Sequence, residues 1–85
     1  MDLQIKGKNF IVCGATSGFG LAITRTLINE GANVIAVARR EDKLREIKDA
    51  YSDNIDIFPG DITESKTISS LVNYTENKNI AGISK

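Results

Sequence analysis

"VCGATSGFG", residues 12–20, sets three glycines, at positions 14, 18 and 20, between an apolar run and an amphipathic one. Glycine adopts backbone torsions closed to other residues and carries no Cβ, so such a turn lets a ligand approach the main chain. Where a turn of this kind joins a strand to a helix, it favours phosphate for two reasons. The first helical turn has free N–H groups, and the helix dipole places partial positive charge there. Gly14 then permits the tight turn, Gly18 the close approach and Gly20 the packing of helix on strand. Thr16 and Ser17 add hydroxyl donors. The spacing, Gly-x-x-x-Gly-x-Gly, carries meaning only if a strand precedes it and a helix follows.

Both flanks are legible. "NFIVCGA", residues 9–15, is a short continuous apolar run, as expected of a strand buried on both faces. Beyond the glycines, Leu21, Ala22, Ile23, Leu27 and Ile28 recur at helical spacing, and Gly31 after Glu30 fits a left-handed C-terminal cap. "NVIAVA", residues 33–38, is a second strand. In "EDKLREIKDAY" the positions Leu44, Ile47, Lys48 and Tyr51 share one helical face, with Glu41 and Asp42 in the first turn where the dipole favours them. "NIDIFPG" reads as a third strand stopped by Pro59 and Gly60. Thr63 is the expected cap of a third helix with Ile68, Leu71, Val72 and Thr75 as its apolar stripe.

Alternation of strand and helix means a parallel sheet with right-handed crossovers. The expected fold is therefore α/β: a three-layer, Rossmann-like parallel sheet, βαβαβα, of order 3-2-1, the N-terminal half of a doubly wound domain spanning residues 1–85. The last residues, "NIAGISK", are too short and polar to predict a fourth strand. The apolar "NFIVCG" strand would then form a sheet edge, which predicts a homo-oligomer through edge pairing or exchange of an element.

Composition narrows the class of function. The chain has 85 residues, 41% hydrophobic and 26% charged, so one small globular domain with a thin core is expected. Eleven basic and eleven acidic residues cancel, giving no support to a nucleic-acid or membrane-surface partner. No apolar run approaches the roughly 20 residues of a membrane span, and "MDLQIKGKNF" lacks a signal-peptide layout. With a single cysteine there is no internal disulfide, and a cytoplasmic location is expected. Cys13 reads as a buried thiol, since the chain has no histidine to activate it. No metal site is expected.

The stretch "VCGATSGFGLAIT" resembles the N-terminus of the short-chain dehydrogenase/reductase family, whose pattern is Thr-Gly-x-x-x-Gly-x-Gly. "GANVIAVARREDKL" is similar to that family's second strand and following helix, "GDIT" to its Asp-Val/Ile-Thr/Asp stretch, and "NIAG" to its Asn-Asn-Ala-Gly. The likeness covers nearly the whole chain but only the first third or so of a usual member. Two positions depart: Cys13 stands for the usual threonine and Ile80 for the second asparagine. The strand that should precede Asn-Asn-Ala-Gly is not evident, so either that strand is missing or "NIAG" is a chance match.

The resemblance implies a nicotinamide dinucleotide as ligand, held by Gly14, Thr16, Ser17, Gly18, Phe19 and Gly20. An acid ending the second strand would favour NAD; here Ala38 is followed by Arg39 and Arg40, and a guanidinium clamps a phosphate through paired hydrogen bonds. NADP is therefore expected over NAD, with Arg39 matching the arginine of NADP-preferring members. The alternative is that both arginines are simply solvated at a helix start. Asp61 resembles the acid that meets the adenine amino group, with Ile62 giving a backbone contact; otherwise it is an aspartate in an ordinary turn.

The family's reaction is hydride transfer between NADPH and a carbonyl or alcohol, and its serine, tyrosine and lysine lie in the second half of the fold. "YTENK", Tyr74 to Lys78, matches Tyr-x-x-x-Lys literally but falls in the third helix, so no catalytic residue is expected in this chain. The expectation is a cofactor-binding portion that does not turn over alone. The competing one is a self-associating or interaction module with a vestigial nucleotide site.

Overall fold

The structure, a computed structural model, describes residues 6–51, 53–76 and 78–84, with Ser84 by its backbone alone. Residues 1–5 of the N-terminal stretch considered for a leader, Asn77 of the Tyr74–Lys78 motif, Ser52 and Lys85 lie outside the described residues.

Side chains alternate across a strand, so an uninterrupted apolar run needs cover on both faces. The strands β1 (Asn9–Cys13), β2 (Asn33–Ala38) and β3 (Ile55–Pro59) receive it. Val12, Val34, Ala36, Ala38 and Ile55 point to one face, with Leu44 and Ile47 of α2 (Glu41–Ala50) and the apolar side of α1 (Gly18–Asn29). Ile11, Cys13, Ile35 and Val37 point to the other, beneath Leu71 of α3 (Ser65–Thr75). That is the expected three-layer, Rossmann-like arrangement.

Helix α1 ends as its glycine requires. Gly31 has φ 86°, its N–H donates to Ile28 O at 3.0 Å, and Ala32 N–H donates to Leu27 O at 3.0 Å. These two bonds form a Schellman cap, which satisfies carbonyls that the helix leaves open. Leu21, Ile23, Leu27 and Ile28 pack on the core, while Ala22 is exposed. Thr24, which no apolar pattern selects, is fully buried; its hydroxyl donates to Gly20 O at 2.9 Å.

The third helix differs from expectation at both its start and its face. Its N-cap is Glu64, and Thr63 instead turns back, donating its hydroxyl to Asp61 Oδ1 at 2.7 Å and its N–H to the same atom at 3.0 Å. Of the expected stripe only Leu71 is buried; Ile68 is 45% and Val72 60% exposed. The helix instead turns Thr67 and Leu71 inward, with Tyr74, 39% exposed, at the margin of that face. A Cβ at Gly60 would lie 2.7 Å from Thr67 Cγ2, and the Tyr74 ring packs on Phe58 with centroids 5.5 Å apart.

A fourth strand, β4 (Ile80–Ser84), corrects the sequence reading. It pairs in parallel with β1, Ile83 opposite Ile11, and extends the order from 3-2-1 to β3-β2-β1-β4. Gly82 leaves room for the Phe10 ring, which a Cβ there would crowd at 3.1 Å. Two expectations fall with it. β1 is an interior strand, so the sheet's edges are β3 and β4. "NIAG" runs into β4 itself, with Asn79 at the strand's beginning, its carbonyl accepting from Asn9 Nδ2 at 3.2 Å. It does not follow a strand's C-terminal end, which decides for the chance match.

Candidate functional site

The carboxyl ends of β1, β2 and β3 open into a cleft of about 480 Å³. It lies where the chain reverses its path across the sheet, β1 leading to β2 on one side while β4 returns on the other. Open α/β sheets bind ligands at such a crevice. Gly14, Thr16 and Ser17 form one wall, Arg39 and Arg40 stand where β2 ends, and Asp61 and Ile62 follow β3. Seven of the ten expected binding residues therefore meet in one cleft. Gly18, Phe19 and Gly20 form the first turn of α1, directly after the wall.

The turn divides its amides between structure and site. Gly14 N–H and Ala15 N–H both donate to Val37 O, at 2.8 and 3.3 Å, which stitches the turn to β2. Ser17 N–H donates to Gly14 O at 3.3 Å. Beyond them, Ser17 occupies the N-cap position without capping α1 through its side chain, and no acid stands in the first turn. The amides of Gly18, Phe19 and Gly20 thus begin a helix whose positive end meets no countercharge from its own residues.

Each glycine answers a different constraint. Gly14 has φ 69° and Gly18 φ 26°, both left-handed. Around the position of a Cβ on Gly18 nothing lies within 4 Å, which leaves the approach to the helix start open. At Gly20 the opposite holds: a Cβ would collide with the carbonyl of Gly14, its carbon 2.7 Å away. These are the shape and donors a diphosphate requires, so the residues present fit a dinucleotide.

Residues 8–82 match the short chain dehydrogenase family. The chain belongs to that family. The NADP-dependent 3-hydroxy acid dehydrogenase YdfG of Escherichia coli K12 is 42% identical over 62 residues, covering 73% of this chain and 25% of that protein. The 3-oxoacyl-[acyl-carrier-protein] reductase FabG of Rickettsia prowazekii is 33% identical over 78 residues, covering 92% of this chain and 32% of its own. Among solved structures, L-sorbose reductase from Gluconobacter frateurii, complexed with NADPH and L-sorbose, superposes with a TM-score of 0.80 at 30% identity. That match covers 91% of this chain and 31% of the other. The chain spans a quarter to a third of the length of these short chain dehydrogenase relatives.

Within this cleft the two arginines are not equivalent. Arg40 is the N-cap residue of α2, and its Nη2 meets Asp42 Oδ2 at 3.0 Å. That pair holds the Asp42 carboxyl below its ordinary pKa, the Arg40 hydrogen bond being the main cause. The anion that offsets a cation at this helix start is thus Asp42 in the case of Arg40. Arg39 makes no ion pair or hydrogen bond among the described residues and is exposed in the cleft. The sequence singled out Arg39 only through the family resemblance; the pairing of Arg40 with Asp42 is what the structure adds.

Asp61 is held ionised below its ordinary pKa, first by the Thr63 hydroxyl and amide and then by the Arg39 charge. Phe19, 82% exposed, stands clear of the cleft wall and contributes its amide alone to the helix start. Thr63, which sequence reading took only for a helix cap, lines the cleft as well; its spacing two after an aspartate is the signal for this side-chain turn.

Tyr74 lies outside the cleft. Burial raises its pKa, and the Asp56 carboxylate adds to the effect, opposite to the tuning a general acid needs. Lys78 Nζ sits 5.2 Å from the Tyr74 ring centroid, over its face. The pair has the surroundings of a packing contact on β3. Among the described residues no helix is long and apolar enough to cross a membrane.

Proposed function

We propose that this chain forms the NADP(H)-binding portion of a short-chain dehydrogenase/reductase, with NADPH preferred over NADH. The diphosphate rests at the start of α1, on the amides of Gly18, Phe19 and Gly20 and beside the hydroxyls of Thr16 and Ser17. Arg39 takes the 2′-phosphate, Arg40 stands beside it in its pair with Asp42, and Asp61 and Ile62 border the adenine. The observation that carries the reading is Arg39, a guanidinium with no hydrogen bond or ion pair among the described residues, in the same cleft as a helix start that no side chain caps. Charge-assisted hydrogen bonds of this kind are worth about 1.5–3 kcal/mol each. The names of the relatives, NADP-dependent in one case and complexed with NADPH in another, support it.

When bound, NADPH supplies the hydride that such enzymes pass to a carbonyl. The described residues here bind and orient the dinucleotide, and they place no serine–tyrosine–lysine set against the cleft. Binding without turnover is the behaviour proposed for the 85 residues alone, in a cytoplasmic setting. Titration with NADPH tests it: saturable quenching or enhancement of nicotinamide fluorescence, together with a raised melting temperature, is expected. Unaltered fluorescence and melting at millimolar NADPH contradict the proposal.

A further inference from the structure

Residues 39–45 carry four cations, and three of them have a carboxylate partner. Glu41 holds Arg45, its Oε2 accepting from Nε at 3.0 Å and from Nη2 at 2.6 Å. Lys43 Nζ stands 3.7 Å from Glu46 Oε2. Asp42 holds Arg40 side-on, Oδ2 accepting from Nη2 at 3.0 Å and Oδ1 from Nε at 3.4 Å. Arg39 alone of the four makes no such bond among the described residues.

Of these cations only Arg39 and Arg40 line the cleft, and Asp61 lines it with them. Asp42 stands outside and reaches the cleft through Arg40. The side-on fork that Asp42 occupies, Nε with one Nη, is a fork through which a guanidinium grips a phosphate by two parallel hydrogen bonds. A carboxylate and a phosphate therefore compete for the same donors. The pair is solvated, its side chains 67% and 65% exposed, so it opens at little cost. A 2′-phosphate carries about two negative charges at neutral pH. It meets two guanidinium groups offset by two carboxylates, Asp42 and Asp61.

We propose that Asp42 is a specificity-determining residue: by occupying Arg40 it leaves one free guanidinium for the 2′-phosphate, and so limits how far NADPH is preferred over NADH. The inference rests on the proposed site, with Arg39 as the first partner of the phosphate. Asp61 does not play the same part, because its Oδ1 is tied to the Thr63 hydroxyl and amide and it takes no hydrogen bond from either arginine among the described residues. Neutralising Asp42 releases the fork of Arg40 and shifts the charge of the cleft toward binding an anion. NADH has a hydroxyl in place of that phosphate, so its affinity has little to gain.

Titrations of the full chain with NADPH and with NADH test this in Asp42→Asn, with Asp42→Ser as a second variant. The quantity read is the ratio of the two dissociation constants within one variant, so a loss of folding stability at the start of α2 cancels. The ratio should move toward NADPH by roughly two- to fivefold, the size of an exposed ion pair, with NADH nearly unchanged. Glu41→Gln removes the same charge from the same turn but frees Arg45, outside the cleft, and should leave the ratio where it was. Arg40→Ala should cost more NADPH affinity in the Asp42→Asn background than in the unaltered chain. Weaker NADPH binding in both Asp42 variants, an unmoved ratio, an equal gain in Glu41→Gln, or an Arg40→Ala cost that is the same in both backgrounds overturns the inference. If Arg39→Ala still lowers the preference for NADPH, the reading of the site survives that result. A chain that binds neither cofactor, or whose ratio ignores Arg39→Ala, overturns the reading and the inference together.

Discussion

A Cβ added to Gly20 would lie 2.7 Å from the carbonyl carbon of Gly14, and between the same two glycines Gly18 faces open space. One glycine is therefore required by the protein's own packing, whereas the other has a positive φ and leaves the helix start open. Gly20→Ala must push α1 off the turn and should cost about 1–3 kcal/mol of stability, in the range of overpacking. Gly18→Ala should cost about 1 kcal/mol, mainly from its positive φ, yet reduce NADPH affinity more than Gly20→Ala does per unit of lost stability. Denaturant melts paired with NADPH titration check this. Equal binding defects at equal stability loss would contradict the division of roles.

Arg39 and Arg40 should separate by cofactor. Arg39→Ala should weaken NADPH by roughly ten- to a hundredfold, as loss of a charge-assisted hydrogen bond does, and leave NADH nearly unchanged. Arg40→Ala should act less, because Asp42 already holds that guanidinium at 3.0 Å. Side-by-side titrations with the two cofactors provide the measurement. Equal losses for NADPH and NADH in Arg39→Ala would remove the phosphate-clamp assignment.

Asp61 gives a pH prediction. Its pKa is held below the ordinary 3.8 by the Thr63 hydroxyl and amide and then by Arg39. A depressed folded value means that the carboxylate's contribution is present above the ordinary pKa and disappears as pH falls through the folded one. Thr63→Val removes the hydroxyl donor and retains the amide, so the Asp61 titration should move upward toward 3.8. Carboxyl carbon shifts followed from neutral to acid pH read it directly. An unmoved titration would show that the hydroxyl bond is not the cause.

Leu71 is the sole side chain of α3 buried among the described residues. Leu71→Ala should cost about 2–5 kcal/mol and loosen α3 while α1 and α2 stay packed on the opposite face. Amide exchange of Ser65–Thr75 against Glu41–Ala50 distinguishes this from uniform destabilisation.

Much of this fold was legible because its strands are covered on both sides. β1 and β2 read as apolar runs for that reason, and Gly31 declared the end of α1 through the torsion it supplies. β4 was not legible: Ile80–Ser84 holds few large apolar residues, and pairing with β1 makes it a strand where intrinsic preference does not. The face of α3 was misjudged because the Thr67 methyl turns in toward Gly60 and the half-exposed Tyr74 ring leans on Phe58, while Ile68 and Val72, stronger in hydropathy, face out. Thr24 escaped because its hydroxyl bonds to Gly20 O, which hides a polar group within its own helix. The cleft residues were found through glycine spacing and family resemblance. What separates Arg39 from Arg40 is a bond to Asp42 that spacing alone does not reveal.

The most direct test follows backbone amides of the labelled chain in nitrogen–proton correlation spectra as NADPH is added. The account predicts saturable shifts at Gly18, Phe19 and Gly20 and at the Arg39 side chain, with NADH moving the glycines but not Arg39. Shifts confined to the other end of the sheet, around Asn9, Asn33 and Asn54, or no shift at the start of α1 at millimolar ligand, would contradict it.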